Sequence, residues 1–375
     1  MKGWYEAPPG PRHEHEVARQ IDRDTGLSFV RGAGLTLVVA AGTMVILIEQ
    51  GPAADLAGSL WRIGALMLLC ASGRAVMTSW QRRGSRIPSI AGYLVHRVRR
   101  LAPMHLISFA LVTAIVSGYA AAGMKEQADL SGLSINLVPL WPNGFAAQNN
   151  PAWFIIQTVV AGTLLVPVLA LIGGQRTRLT AMAVLAFLCC LLPDGTLWSI
   201  SGIMLCAFTM GVLAPLGSPM RLPARTMMGT MALVLLAAGQ TAGQFTGYQG
   251  TGGAISILGV ILLMGAMTRR RATSRECGLE RYAYPALVLH HPIIQATMVA
   301  TDGGAGGLFI GCVLATAATW ICGDLIEKPN GKAQKQRTQA QEAAQRAADE
   351  VEFMLPYHPE KGDNRTLRQN GRRGK

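Results

Sequence analysis

The chain has 375 residues, half of them hydrophobic and only 15% charged, where a soluble domain carries about a quarter charged residues. Its formal net charge of +13 sits in short polar connections and in the C-terminal tail, not on one basic face. That is the pattern of a membrane protein's cytoplasmic loops and argues against nucleic acid as a partner. The apolar residues gather in blocks long enough to cross a hydrocarbon core, which needs about 20 residues of helix, so the chain reads as an all-α, polytopic membrane helical bundle.

Residues 1–28 are polar and of mixed charge, without an apolar core and small-residue cleavage site. They read as a cytoplasmic N-terminal segment and not as a secretory leader. The apolar blocks then fall at 30–49, 57–79, 101–122, 151–172, 179–193, 196–216, 226–246, 251–268, 283–300 and 304–325, which predicts about ten transmembrane helices. The turn signal Pro193-Asp194-Gly195 divides the fifth from the sixth.

The basic residues follow every second block. Arg82, Arg83, Arg86, Arg97, Arg99 and Arg100 follow the second, Arg176 and Arg178 the fourth, and Arg221 and Arg225 the sixth. Arg269, Arg270, Arg271, Arg275 and Arg281 follow the eighth, whereas the opposite loops hold little besides Lys125. This alternation predicts an even number of spans with both termini cytoplasmic.

Two stretches are not expected to span. Residues 88–100 set Ile90, Tyr93, Leu94 and Val98 near one helical face with basic residues on the other, the pattern of a helix at the inner interface. Residues 123–150 form the longest outer loop, in which Leu137-Val138-Pro139-Leu140-Trp141-Pro142 suits a re-entrant or interface-packed piece. The tail, 330–375, is polar. Its first part, rich in Ala, Gln and charge, suits a helix, and the basic end reads as disordered and able to touch anionic lipid.

Charged and ionisable groups inside spans mark functional positions. Arg31 precedes the first block, and Arg74 follows Ser72-Gly73 in the second. Snorkelling to the interface is the structural reading of both arginines. Arg97 and Arg100, three apart, share a helical face and form an anion clamp suited to phosphates, or a plain basic anchor. Pro103 and His105 follow at the mouth of the third block. Asn150-Pro151-Ala152-Trp153 opens the fourth, where an aromatic anchor is the structural alternative. In the ninth, Tyr284-Pro285-Ala286-Leu287-Val288-Leu289-His290-His291-Pro292 places two histidines in mid-span, with Pro292 freeing a backbone carbonyl nearby. An interhelical hydrogen bond is their structural alternative. Six of the seven cysteines lie in or beside apolar blocks, and no spacing suits a metal.

In this order the segments resemble the acyltransferase-3 family of ten-span membrane acyltransferases, related to glucan succinyltransferases. The resemblance covers residues 26–329, within a membrane domain read as 29–329. It rests on Phe29-Val30-Arg31-Gly32, Leu68-Leu69-Cys70-Ala71-Ser72-Gly73, Arg97-Val98-Arg99-Arg100-Leu101-Ala102-Pro103 and Asn150-Pro151-Ala152-Trp153-Phe154. Phe208-Thr209-Met210-Gly211, Leu287-Val288-Leu289-His290-His291-Pro292 and Glu327-Lys328-Pro329 complete it.

The resemblance implies transfer of an acetyl or succinyl group from cytoplasmic acyl-CoA to a hydroxyl of an envelope polysaccharide or similar acceptor, in the cell inner membrane. A histidine serves as general base, and arginines hold the donor's phosphates. Arg97, Arg100, Arg31, Ser72 and Arg74 would then form the CoA side, and Asn150 and Trp153 the acceptor side, with no bound cofactor and no metal. The family's histidine, eleven residues after the span-one arginine, falls on Gly42 here, and the acidic residue after the span-four tryptophan is Thr158. His105 is the first substitute for the base and His290 the second. A catalytically inert relative, serving as a transport or structural subunit of a glycan synthesis or export complex, is the second reading. A secondary transporter is the third.

Overall fold

The computed structural model describes residues 25–48, 51–82, 89–124, 150–169, 172, 175–191, 197–214, 222–246, 249–267 and 274–327. Helix is the only regular structure among them, and each of the ten apolar blocks carries one helix. These are α1 (Thr25–Leu47), α2 (Pro52–Arg82), α3 (Ser89–Ala121), α4 (Ala152–Leu169) and α5 (Gln175–Cys190). There follow α6 (Leu197–Leu213), α7 (Leu222–Thr246), α8 (Gln249–Met267), α9 (Ser274–Ala300) and α10 (Ala305–Cys322), the last running into a five-residue π turn, Gly323–Glu327. Helices are the expected answer in hydrocarbon, where every backbone N–H and C=O must be satisfied within the segment.

Six of these helices are long and apolar enough to cross a membrane: Leu27–Leu47, Pro52–Trp80, Leu101–Ala121, Ala152–Leu169, Gly250–Met267 and Ala305–Ile326. Ile200–Leu213 is a shorter apolar helix. α5, with 16 residues, reaches about 24 Å at the helical rise, short of a hydrocarbon core of about 30 Å. α9 dilutes its apolar run with Arg275, Glu276, Glu280 and Arg281 in its first turns.

The third block departs from the sequence reading. Residues 89–121 form one continuous helix of 33 residues with Pro103 inside it, in place of an interfacial helix followed by a separate span. A proline removes one N–H and crowds one carbonyl a turn earlier, a local cost that an otherwise unbroken helical sequence absorbs as a bend. Of the loop expected at 123–150, residues 125–149 lie outside the described residues, as do the N-terminal segment up to residue 24, the tail from residue 328 and the side chains of Arg100 and Glu327.

α2, α4 and α8 are the central spans, each with more than half of its apolar window buried. α10 is peripheral and turns Phe309, Ile310, Val313, Leu314 and Trp320 outward, as a lipid-facing helix does. α1 packs on α2, α8 and α9; α2 also meets α4, α6 and α8; α9 touches α1, α3, α4 and α10.

Glycine sets the closest crossing. A Cβ on Gly73 of α2 would collide with the Phe208 carbonyl oxygen, and one on Gly211 of α6 with that of Cys70. The two helices therefore touch backbone to backbone, the close approach that small residues permit in membranes. The same phenylalanine ring fills the place of a side chain at Gly162 of α4. Two of the motifs carrying the resemblance, Ser72-Gly73 and Phe208-Thr209-Met210-Gly211, are thus the two halves of one crossing.

Candidate functional site

The site is built around α9. Pro292 has no N–H, so the carbonyl of Val288, four residues earlier, lacks its intrahelical donor. Two side chains take that carbonyl. Asn150 Nδ2 donates to it at 2.9 Å and Ser108 Oγ at 3.1 Å. Ser108 Oγ in turn accepts from Trp153 Nε1 at 2.9 Å and from Asn150 Nδ2 at 3.1 Å. Asn150, Ser108 and Trp153 are all fully buried. A buried carbonyl left unsatisfied is costly, and this network joins α3, the entry to α4 and α9 through it.

His105 lies one turn before Ser108 on α3. It is buried, with its ring centroid 5.8 Å from that of Trp153, while Phe109 stacks on the same indole at 6.2 Å. The structure thus brings His105, Asn150 and Trp153 together. Ser108 was not singled out from sequence, although its place one turn after His105 on the same face was readable.

His290 lies two residues beyond Val288 on α9. Its Nδ1 is 2.9 Å from the Ala286 carbonyl oxygen. A carbonyl only accepts, so Nδ1 is the donor in this contact, and in the neutral form of the ring Nε2 is then the acceptor. That nitrogen faces Gly42 of α1: a Cβ there would lie 3.2 Å from Nε2 and 3.6 Å from Cδ1 of Trp61 on α2. Gly42 of α1 is therefore a direct neighbour of His290 of α9. Any larger residue at 42 would press carbon against Nε2. His291 stands edge-on to His290 at 6.2 Å.

The arginines divide. Arg74, buried in α2, donates from Nη1 to the Ala214 carbonyl at the C-terminal end of α6, where a cation meets the negative end of the helix dipole. Arg225 Nε does the same for Ala266 of α8 at 2.9 Å, and Arg178 Nε for Ile172, just past α4, at 3.2 Å. Arg97 lies over the Tyr93 ring, 5.4 Å from its centroid, in cation–π contact, and Trp80 of α2 meets that ring edge-on at 5.2 Å. Arg31 and Ser72 are half-buried on α1 and α2.

Sequence reasoning passed over Arg62 and Trp61, in the N-terminal half of α2. A charge inside an apolar span was the available signal for Arg62. Among the described residues no group of three or more His, Cys, Asp or Glu side chains is arranged to hold a metal ion. No protein-family model matches the chain, and no curated protein or solved structure is detectably similar to it.

Proposed function

We propose that the protein is a membrane-embedded O-acyltransferase of the acyltransferase-3 type, with its ten helices as ten spans and both termini on the cytoplasmic side of the cell inner membrane. The observation that carries this reading is the placement of His290, with Nδ1 2.9 Å from the Ala286 carbonyl oxygen and Nε2 facing Gly42, which has no side chain to cover it. A base oriented by a second hydrogen bond is the arrangement general-base catalysis requires.

In the proposed reaction Nε2 takes the proton of an acceptor hydroxyl as its oxygen attacks the thioester carbonyl of acetyl- or succinyl-CoA. The C–O bond forms, the C–S bond breaks, and the imidazolium returns the proton to the departing thiolate. His290 takes precedence over His105 as the base because its acceptor nitrogen is defined. Trp153 and Asn150 shape the acceptor side beside His105. Arg97, stacked on Tyr93, acts with Arg100 and Arg31 at the donor's phosphates, while Ser72 and Arg74 shape the helix packing beneath them. The acceptor is a hydroxyl of an envelope polysaccharide or a similar molecule, and membrane lipid surrounds the bundle.

Gly42, in place of a histidine, favours a second reading: an inert relative serving as a transport or structural subunit of a glycan synthesis or export complex. Labelled acetyl- and succinyl-CoA offered to the purified protein separate the two. Turnover that is lost in His290→Gln and weakened in Arg97→Ala is expected. CoA binding without turnover supports the inert subunit, and no CoA binding overturns both donor assignments.

A further inference from the structure

A cavity of about 490 Å³ opens between α2, α6, α7 and α8, within the size range of small-molecule sites. Its polar lining is Asp55, Arg62 and Gln240, set against Leu66, Ile203 and Met204 with glycines in the facing wall. Asp55 and Arg62 are seven residues apart, two helical turns, and so share one face of α2. Among the described residues the guanidinium of Arg62 hydrogen-bonds only within its own helix, to the Gly58 carbonyl at 3.3 Å and Ser59 Oγ at 3.4 Å. Both are long, and neither explains a cation placed about 15 Å along a spanning helix. Arg74, on the same helix, is by contrast directed at a helix terminus.

Gln240 Nε2 donates to Ser256 Oγ at 3.2 Å. That bond fixes the amide and leaves its oxygen as an acceptor. The lining therefore offers a fork of donors at Arg62 and acceptors at Asp55 and Gln240. One positive and one negative charge cancel, so a net anion gains nothing there that Asp55 does not oppose. A hydroxyl both donates and accepts, and a sugar ring carries several hydroxyls around an apolar body.

We propose that this cavity binds the neutral, hydroxyl-rich ring of a sugar through Arg62, Asp55 and Gln240. As the grip on the non-reacting part of an acceptor glycan it rests on the acyl-transfer reading; as a sugar site it does not.

Saturation-transfer NMR on the full chain in lipid nanodiscs, free of glycoside detergents, tests it with glucose and glucuronate and no acyl-CoA present. Saturation is expected to pass to glucose. The dissociation constant should rise about tenfold in Arg62→Ala and in the near-isosteric Gln240→Leu, the usual effect of losing a hydrogen bond of about 1.4 kcal/mol. No transfer to glucose, glucose binding unchanged in both variants, or binding of glucuronate alone would overturn the proposal. Glucose binding by a protein that never turns over acyl-CoA upholds the site and sinks the transfer reading. Turnover without glucose binding does the reverse.

Discussion

The two halves of α2 use the same residue type in opposite ways. Around Gly73 the helix lies backbone against backbone with α6, and Arg74 donates to the Ala214 carbonyl at the end of that helix. Around Trp61 and Arg62 the same helix borders the cavity toward α6, α7 and α8 and the Gly42–His290 contact, while Gly64 keeps it close against Gly34 of α1. An arginine in a span is thus not informative by itself. What it faces, a helix terminus or open space, decides whether it belongs to the scaffold or to a site.

The sharpest way to break this contrast is at the crossing. Gly73→Leu drives carbon into the Phe208 carbonyl, which belongs to a helix and cannot yield as a side chain would. We expect a loss of about 3 kcal/mol or more, seen as failure to recover monodisperse protein after solubilisation.

Arg74→Ala comes next. Removing a buried charge-assisted hydrogen bond should cost about 2–3 kcal/mol and lower the thermal midpoint in detergent. An unchanged midpoint would remove Arg74 from the scaffold. Ser108→Ala should cost about 1 kcal/mol, the scale of hydrogen bonds between membrane helices, because Asn150 still reaches Val288. A loss as large as that of Arg74→Ala would mean that the network holds α9 alone. Arg62→Ala should change stability least, by no more than about 0.5 kcal/mol, since its bonds stay within its own helix. A drop matching that of Arg74→Ala would erase the distinction between the two halves.

Much of this was legible in the residues. The apolar blocks located all ten helices, and Pro292 announced a freed carbonyl, which proved to be that of Val288. Asn150, Trp153 and His105 were named from the chain, and they meet. The continuity of α3 through Pro103 was not legible, because a proline marks a cost and not whether the flanking turns absorb it. The glycines at 73 and 211 were visible as motif residues, but only the crossing shows that each accommodates the other helix's backbone. Gly42 read as a lost histidine. Its contact with His290 joins the first helix to the ninth, and no periodicity within either helix reports on such a pairing. Arg62 was readable as a charge in a span and became meaningful only with the cavity beside it.

On the proposed reading α9 carries chemistry at His290, while the α2–α6 crossing carries structure. Acyl transfer per folded molecule, measured with thermal midpoint in the same preparations of His290→Gln and Arg74→Ala, tests it most directly. Transfer is expected to fall about a hundredfold or more in His290→Gln with the midpoint nearly kept, and Arg74→Ala is expected to give the opposite pair of results. Wild-type transfer by folded His290→Gln would contradict it.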